Sequence, residues 1–452
     1  MTAVEMLQAG APHRALPLLA KKAKKEPTID NLLVLSAAQR GCCQFERAMD
    51  TLHECLVLTQ GKSAEVWNNI AQVYSDQGKF QEVPAIFQRA LRVAESTPTT
   101  HGSMQQILLG FAYSLMRLGQ FEYSWEAFEA GRFAASWGTL PMTKLWRGEP
   151  NSRVLIVPEG GFGDAFLFSR WIPKVREMSD RVGILMWDKL LDFCDWKRFG
   201  VNEIIPLKKS VRASDWDYSI SIMSLPGIFK MKSWTDIPPD GMRDAFIETL
   251  PSHERVPRIH HDPPRIGYCW RAEENGSVRK IRSLDDHTAG VVAKELAKYG
   301  PVYGLCPQNK GLHKFDKFRV PQRVIQEEEK LATWHETASY ILSMDLVVAV
   351  DTAGFHLAAL LGVPTLLLLP CRSDWKYSVR DFGPDVKSQF MPQTQILGTP
   401  RDRDRWYGPH VTYYRETKTE GWTASAIIDA IAAAMIIDYS KPAPNVQVVA
   451  NK

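Results

Sequence analysis

One stretch, MDLVVAVDTAGFHLAALLGVPTLLLLP at residues 344–370, leaves this chain few folds to choose from. Residues 346–350 are an apolar, β-branched run of the kind that a strand buried on both faces needs. Asp351 and Thr352 stop that run and can cap a helix after it. Residues 355–361 are Ala/Leu-rich and helical in character, and Gly362 with Pro364 ends them. Residues 366–369 read as a second buried strand. Parallel strands need such a crossover, so the stretch is a βαβ unit of a parallel sheet.

The turn inside this unit is where chemistry can sit. The backbone N–H groups of Ala353, Gly354 and Phe355 open the helix, and that end carries partial positive charge that suits a phosphate or diphosphate. Gly354 leaves room for a ligand beside the backbone, and His356 in the first turn can add a donor to an anion. Asp351 repels a diphosphate, so its carboxylate either caps the helix or accepts hydrogen bonds from hydroxyls such as those of a sugar. An isolated D-T-x-x-x-H would be read as a helix cap beside a packing histidine.

The first 140 residues have a different grammar. Trp67, Ile70, Ala71, Tyr74, Gly78, Val83, Phe87, Ala90 and Pro98 fit the spacing W-x2-L-G-x2-Y, A-x3-F, P of the tetratricopeptide repeat. Leu32, Leu35, Phe45, Ala48, Leu52 and Cys55 match one repeat earlier, and Leu108, Phe111, Ala112, Gly119, Phe121 and Phe128 one later. Ala15, Leu19 and Pro27 look like half a first copy. This resembles an array of about three and a half repeats, whose stacking buries what one repeat cannot bury alone. Such an array can bind a peptide, pack on the rest of the chain or make a dimer.

Residues 149–152 read as a linker, 154–157 as a strand, and Glu159-Gly160-Gly161-Phe162-Gly163-Asp164 as a glycine-rich turn. An amphipathic helix is expected over 165–178, with further strands at 182–186, 203–206 and 218–222. Gly161-x-Gly163 resembles the start of a dinucleotide fingerprint, with Asp188 placed for a ribose. Phe166 in place of the third glycine, and Asp164 facing the pyrophosphate, count against an NAD(P) oxidoreductase, which ranks third.

His260 to Pro264 make a plausible hinge, and 265–270 the first strand of a further domain. The loop after that strand holds Lys280 and Arg282-Ser283-Leu284. A strand is expected at 302–305, a helix at 332–342 and a final helix at 424–437, with 381–404 an insertion or lid and 438–452 a tail.

These stretches resemble the heptosyltransferase-like glycosyltransferases of family nine. The residues that carry the likeness are VDTAGFHLAALLGVPTLLLLP, the upstream Trp334-His335-Glu336-Thr337-Ala338 and Ser343-Met344-Asp345-Leu346-Val347, and the G-[LF]-G-D turn at Gly161 to Asp164. Arg405 to Pro409 and Glu420-Gly421-Trp422 resemble the family's closing W-Y-P and G-D-W elements, although no acid separates Gly421 from Trp422. The resemblance implies a GT-B fold: a tetratricopeptide solenoid (1–140), an acceptor-side Rossmann-like domain (150–262) and a nucleotide-sugar domain (263–437) facing it across a cleft. It implies an inverting, metal-independent transfer of a sugar from a nucleotide-diphosphate donor to a glycan or protein acceptor. Asp164 would be the base that deprotonates the acceptor, with Glu159 a second candidate at the same strand end. Asp351, Thr352, Ala353, Gly354 and His356 would bind the donor, and Lys280 and Arg282 would neutralise its diphosphate. Gly161 and Gly163 form the acceptor-side turn. The alternative from another class is a non-catalytic repeat scaffold with a degenerate transferase module.

Composition excludes other partners. Basic and acidic residues nearly balance at net +4, which gives no footprint for nucleic acid. No apolar run reaches the about 18 residues of a membrane span. The seven cysteines are scattered without a CxxC, which points away from a zinc knuckle and to free thiols in a reducing cytoplasm, while the transferase resemblance implies no metal and no cofactor beyond the nucleotide-sugar substrate.

Overall fold

The computed structural model describes residues 2–134, 144–239, 242–250, 261–272, 282–307, 319–371, 373–377, 403–404, 406–416 and 421–435. Among them, eight helices come first: α1 (Ala3–Gln8), α2 (Pro12–Lys25), α3 (Ile29–Gly41), α4 (Phe45–Leu58), α5 (Ala64–Asp76), α6 (Val83–Ser96), α7 (His101–Arg117) and α8 (Phe121–Ala134). Each packs on the next in chain order. Thr28, Ser63 and Thr100 cap α3, α5 and α7 by accepting from the amides of Asn31, Val66 and Ser103. The strongest repeat spacing in the sequence falls on α5 and α6, where Ile70, Ala71, Val83, Phe87 and Ala90 are buried. At α7, Gly110 lets the Phe87 ring approach so closely that a Cβ there would lie 2.3 Å from it.

The first sheet is parallel throughout, with β1 (Lys144–Leu145), β2 (Arg153–Val157), β3 (Arg181–Met186), β4 (Glu203–Pro206) and β5 (Tyr218–Ser221) in the order β1-β5-β2-β3-β4. Its helices are α9 (Phe162–Phe168), α10 (Ile172–Met178), α11 (Leu225–Ile228) and α12 (Met242–Ile247). The single helix expected over 165–178 is broken by a 3-10 turn at Ser169–Trp171. Pro173 explains the break: it cannot donate into a continuing helix, and it sits instead in the first turn of α10.

The second sheet holds β6 (Ile266–Cys269), β7 (Val302–Gly304), β8 (Val324–Ile325), β9 (Leu346–Val350), β10 (Thr365–Leu369), β11 (Arg403–Asp404) and β12 (Gly408–Arg415) in the order β11-β12-β10-β9-β6-β7-β8. Only the β11–β12 pair is antiparallel among these. Its helices are α13 (Asp286–Leu296), α14 (Trp334–Leu342), α15 (Ala353–Leu360) and α16 (Ala424–Met435). β9 and β10 are buried at every position, so their unbroken apolar runs are what two covered faces demand.

The strand orders fix where a ligand can enter. From β2 the chain goes to β3 and β4 on one side and returns to β5 on the other. From β6 it goes to β7 and β8, then returns to β9, β10 and β12. Each sheet therefore has a reversal point, at the C-terminal ends of β2 and β5 and of β6 and β9, and open α/β sheets take ligands at such points.

The cores are divided unevenly. Helices α1–α5 enclose an apolar cluster of their own. Ala112, Met116, Phe121, Trp125 and Phe128 of α7 and α8 belong instead to the core that runs through both sheets. None of the described helices is long and apolar enough to cross a membrane.

Candidate functional site

At the first reversal point the chain leaves β2 through Glu159 to Gly163 and enters α9. Gly160 has φ +74°, a conformation that glycine adopts without strain, and a Cβ there would strike the Asp164 carboxylate. That carboxylate turns back on the helix end and accepts from the Gly161 amide at 2.8 Å. Glu159 accepts from the Ser221 hydroxyl, at the end of β5, at 2.6 Å. It also pairs with Arg132 of α8, whose other nitrogen donates to Ser224 at 2.7 Å. Arg132 is buried, so a helix of the N-terminal region supplies a charge to this sheet's strand ends.

At the second reversal point Thr352 caps α15, accepting from Phe355 N–H at 3.1 Å. Asp351 therefore does not cap. Its Oδ1 accepts from the Tyr377 hydroxyl at 2.9 Å, and Oδ2 lies 3.9 Å from Arg282. His356 is buried, with Nδ1 2.8 Å from the Tyr407 hydroxyl and Nε2 3.6 Å from Asp351. A Cβ added at Gly354 would meet only the Thr352 hydroxyl, at 3.6 Å, so this end of α15 is open to a close-approaching group. Arg282 also reaches the Asp351 carbonyl at 3.5 Å. Its loop is pinned by Leu284 N–H on the Trp270 carbonyl and by Trp422 Nε1 on the Ser283 carbonyl, each at 2.9 Å. Lys280 lies outside the described residues. Asp285, which with Asp286 forms an adjacent acidic pair, is simply the N-cap of α13. Among the described residues no group of three or more His, Cys, Asp or Glu is placed to hold a metal ion.

The two reversal points meet. Helices α9 and α15 pack together, and Gly163 makes the approach possible, since a Cβ there would lie 2.3 Å from the His356 ring. Phe166, on the same helix, stacks on Phe193 and meets Trp334 of α14 edge-on. Lys376, in the 373–377 loop after β10, closes the join: its Nζ donates to Asp164 Oδ1 at 2.6 Å, with Asp374 at 3.9 Å. Both members of the pair are largely buried, their side chains 8% and 16% exposed. Burial works to raise the Asp164 carboxyl, but the Lys376 ammonium and the Gly161 amide outweigh it and hold the group below the usual carboxylate range. Asp351 follows the same pattern, with burial outweighed by His356, Lys376 and Arg282. Burial pulls Lys376 down, yet Asp164, Asp374 and Asp351 push it well above an ordinary lysine.

The same loop touches the helical region. Trp375 meets Phe121 and Trp125 of α8 edge-on, at 6.2 and 6.1 Å between ring centres. Trp406 abuts Trp375 and donates to the Lys376 carbonyl at 3.0 Å. Beside this cluster a cavity of about 240 Å³ is lined by Phe80, Phe87, Tyr113 and Arg117 of the helical region together with Asp374 and Trp375.

Of the residues singled out from sequence, Asp164, Gly161, Gly163, Asp351, Thr352, Ala353, Gly354, His356 and Arg282 fall in one connected region, and Glu159 at its edge. Lys376, Tyr377 and Arg132 were not among them, and Tyr407 figured only in the closing W-Y-P element, without a site role. The available signal was position: Asp374-Trp375-Lys376-Tyr377 comes just after the second buried strand of the βαβ unit, where ligands of open sheets sit.

No family model matches the chain. It is 22% identical over 377 residues to Protein FlbA of Caulobacter vibrioides, which covers 74% of this chain and 61% of that protein, so the chain spans about three fifths of the relative's length. Among solved structures it is similar to the E. coli heptosyltransferase WaaC with ADP, at 12% identity and a TM-score of 0.37, covering 62% of this chain and 99% of that one. It is also similar to a Thermobaculum terrenum O-GlcNAc transferase mutant, at 13% identity and a TM-score of 0.26, covering 81% of each chain.

Proposed function

We propose that the chain is an inverting glycosyltransferase that moves a sugar from a nucleotide-diphosphate donor to a glycan or protein acceptor. The helical region is then a tetratricopeptide solenoid, and the two sheets are the Rossmann-like halves of a GT-B fold facing a cleft. One observation carries the reading: the reversal points of two sheets, one parallel and one parallel but for its edge pair, meet, with a carboxylate at the head of one helix and an open, glycine-bearing N-terminus at the head of the other. The head of α15, with Arg282 and Lys280, suits the diphosphate. Asp351, lined by Tyr377 and His356, suits sugar hydroxyls. Asp164 is the acceptor's base, and Glu159, already held by Arg132 and Ser221, orients that side. No metal or cofactor is needed, because helix dipole and cations neutralise the leaving nucleotide. The free cysteines suit a reducing compartment such as the cytoplasm.

The test is thermal shift of the purified chain against ADP, GDP, UDP, dTDP, CMP and NAD, in wild type, Asp351→Ala and His356→Ala. A ligand confined to the native state adds about 2.7 kcal/mol at a hundredfold excess over its Kd. A shift with one nucleoside diphosphate, weakened in His356→Ala, is expected. Silence from all six nucleotides removes the reading and leaves a scaffold. Transfer that survives EDTA but is lost in Asp164→Ala, with donor binding kept, is the pattern expected of a metal-free base.

A further inference from the structure

A base has to be free to accept a proton, and in this structure Asp164 is not. Its carboxylate carries a lysine ammonium at 2.6 Å and a backbone amide at 2.8 Å, in a site nearly closed to water. If Asp164 does take the acceptor's proton, something must first remove the lysine.

The surroundings of Lys376 show what can. Its backbone is anchored on both sides: Lys376 N–H donates to Asp374 Oδ1 at 3.2 Å, the Lys376 carbonyl accepts from Trp406 Nε1 at 3.0 Å, and the Tyr377 carbonyl from Arg415 at 2.8 Å. Trp375 is wedged among Phe121, Trp125, Phe168 and Trp406. With the loop held, the four-carbon stem is the part left to carry the ammonium elsewhere. The next residue, Tyr377, donates to Asp351 at the head of α15. One pole for the ammonium is thus Asp164 on α9, and the other is the helix end that suits a diphosphate. A diphosphate diester brings two negative charges against one on the carboxylate, and in a desolvated site the larger charge wins the ammonium.

We propose that Lys376 is a donor-displaced counter-ion: an incoming nucleotide-diphosphate sugar draws its ammonium off Asp164, and only then does Asp164 act as a base. This rests on the glycosyl-transfer reading and adds an order of events to it. Stripped of its counter-charge, the Asp164 carboxylate keeps its burial, which then raises its proton affinity. It takes the proton of the acceptor hydroxyl while that oxygen bonds to the anomeric carbon. The bond from the anomeric carbon to the diphosphate oxygen breaks, and its electron pair leaves with the nucleoside diphosphate, held by Lys376. When the diphosphate leaves, the ammonium returns and the proton passes to solvent. A donor bound without this exchange would meet a silent base.

Other charges face the pair from every side. His356 of α15 faces Asp164, and Asp351 and Asp374 face Lys376, with Arg282 beyond Asp351. Tyr113 of α7 looks on to Lys376, Asp374, Glu159 and Arg132. The experiment must therefore isolate Asp164. The probes are UDP-glucose, ADP-glucose, GDP-mannose and dTDP-glucose, whose diester diphosphates do not themselves titrate near neutrality. Calorimetric titration of the full chain at pH 6 and pH 8, each in two buffers of different ionisation enthalpy, counts the protons taken up per ligand bound. Wild type is expected to take up protons at pH 6 and fewer at pH 8, and Asp164→Asn to lose the uptake while still binding. Lys376→Met is expected to bind about tenfold to a hundredfold more weakly, the loss of one charge-assisted contact. Equal uptake in wild type and Asp164→Asn overturns the exchange and leaves donor binding standing. If the variant does not fold, wild-type uptake that fails to grow between pH 8 and pH 6 overturns it as well. No binding heat from any of the four removes the transfer reading and this proposal with it.

Discussion

A buried aspartate at the head of a helix needs more than the helix end to hold it, and Asp164 has the Gly161 amide while Asp351 caps nothing. Asp351 is held by Tyr377, His356 and Arg282 because Thr352 does the capping, and Asp164 is held by Lys376. Removing one partner of such a buried pair strands the other, which typically costs about 3–5 kcal/mol. Lys376→Met should therefore lower stability by that order in chemical denaturation. Adding Asp164→Asn should restore part of the loss; a double variant as unstable as the sum of the two singles would deny the coupling. The pH dependence has a definite sign. Asp164 and Asp351 titrate below the unfolded carboxylate value of about 3.9, so their stabilisation is complete above that pH and is lost as pH falls through their folded values. Lys376 is raised, so its share holds below about 10.4 and is lost above. Melting temperature should be flat between these limits as far as this network decides it, and its acid fall should be shallower in Asp351→Asn. The D-T-x-x-x-H cluster was legible because a cap is written in adjacent letters. Lys376 was not, since its partner is 212 residues away and only the meeting of two sheets joins them.

Between elements, the contact of α9 with α15 depends on a missing side chain. Gly163→Ala would drive a methyl group into the His356 ring, and overpacking of this kind costs about 1–3 kcal/mol. The expected result is a lower melting temperature together with a weaker nucleotide shift. An unchanged shift would show that α15 does not rely on α9 for its position. The β9–α15–β10 unit could be read from its uniform apolar runs and its Gly-Pro stop. The two-residue strands β1, β8 and β11 could not, because a pattern of period two needs more residues than they have. The break between α9 and α10 was also missed, although Pro173 was in plain sight. A helical stripe continues through a 3-10 turn with little change of face, so the periodicity masked the interruption.

At the scale of the molecule, the helical region is not one attachment but two. Helices α1–α4 close on their own cluster with α5, whereas α7 and α8 complete the core of the sheets. Deleting residues 2–58 should leave a folded chain that keeps its nucleotide shift, and deleting residues 2–134 should yield insoluble protein. A soluble, nucleotide-binding product of the longer deletion would contradict this division. Tetratricopeptide spacing could place the helices in the sequence, but it says nothing about which hairpin is claimed by its neighbour. That claim is made by Trp125, Trp234, Trp375 and Trp406, which stand ring against ring although they come from the helices, the first sheet's loops and the second sheet's loops. Indole rings at such spacing couple, so these four of the fourteen tryptophans add a near-ultraviolet dichroism signal from the place where the three parts join. Any departure of one part from the others would be visible as an optical signal, without a label having to be introduced.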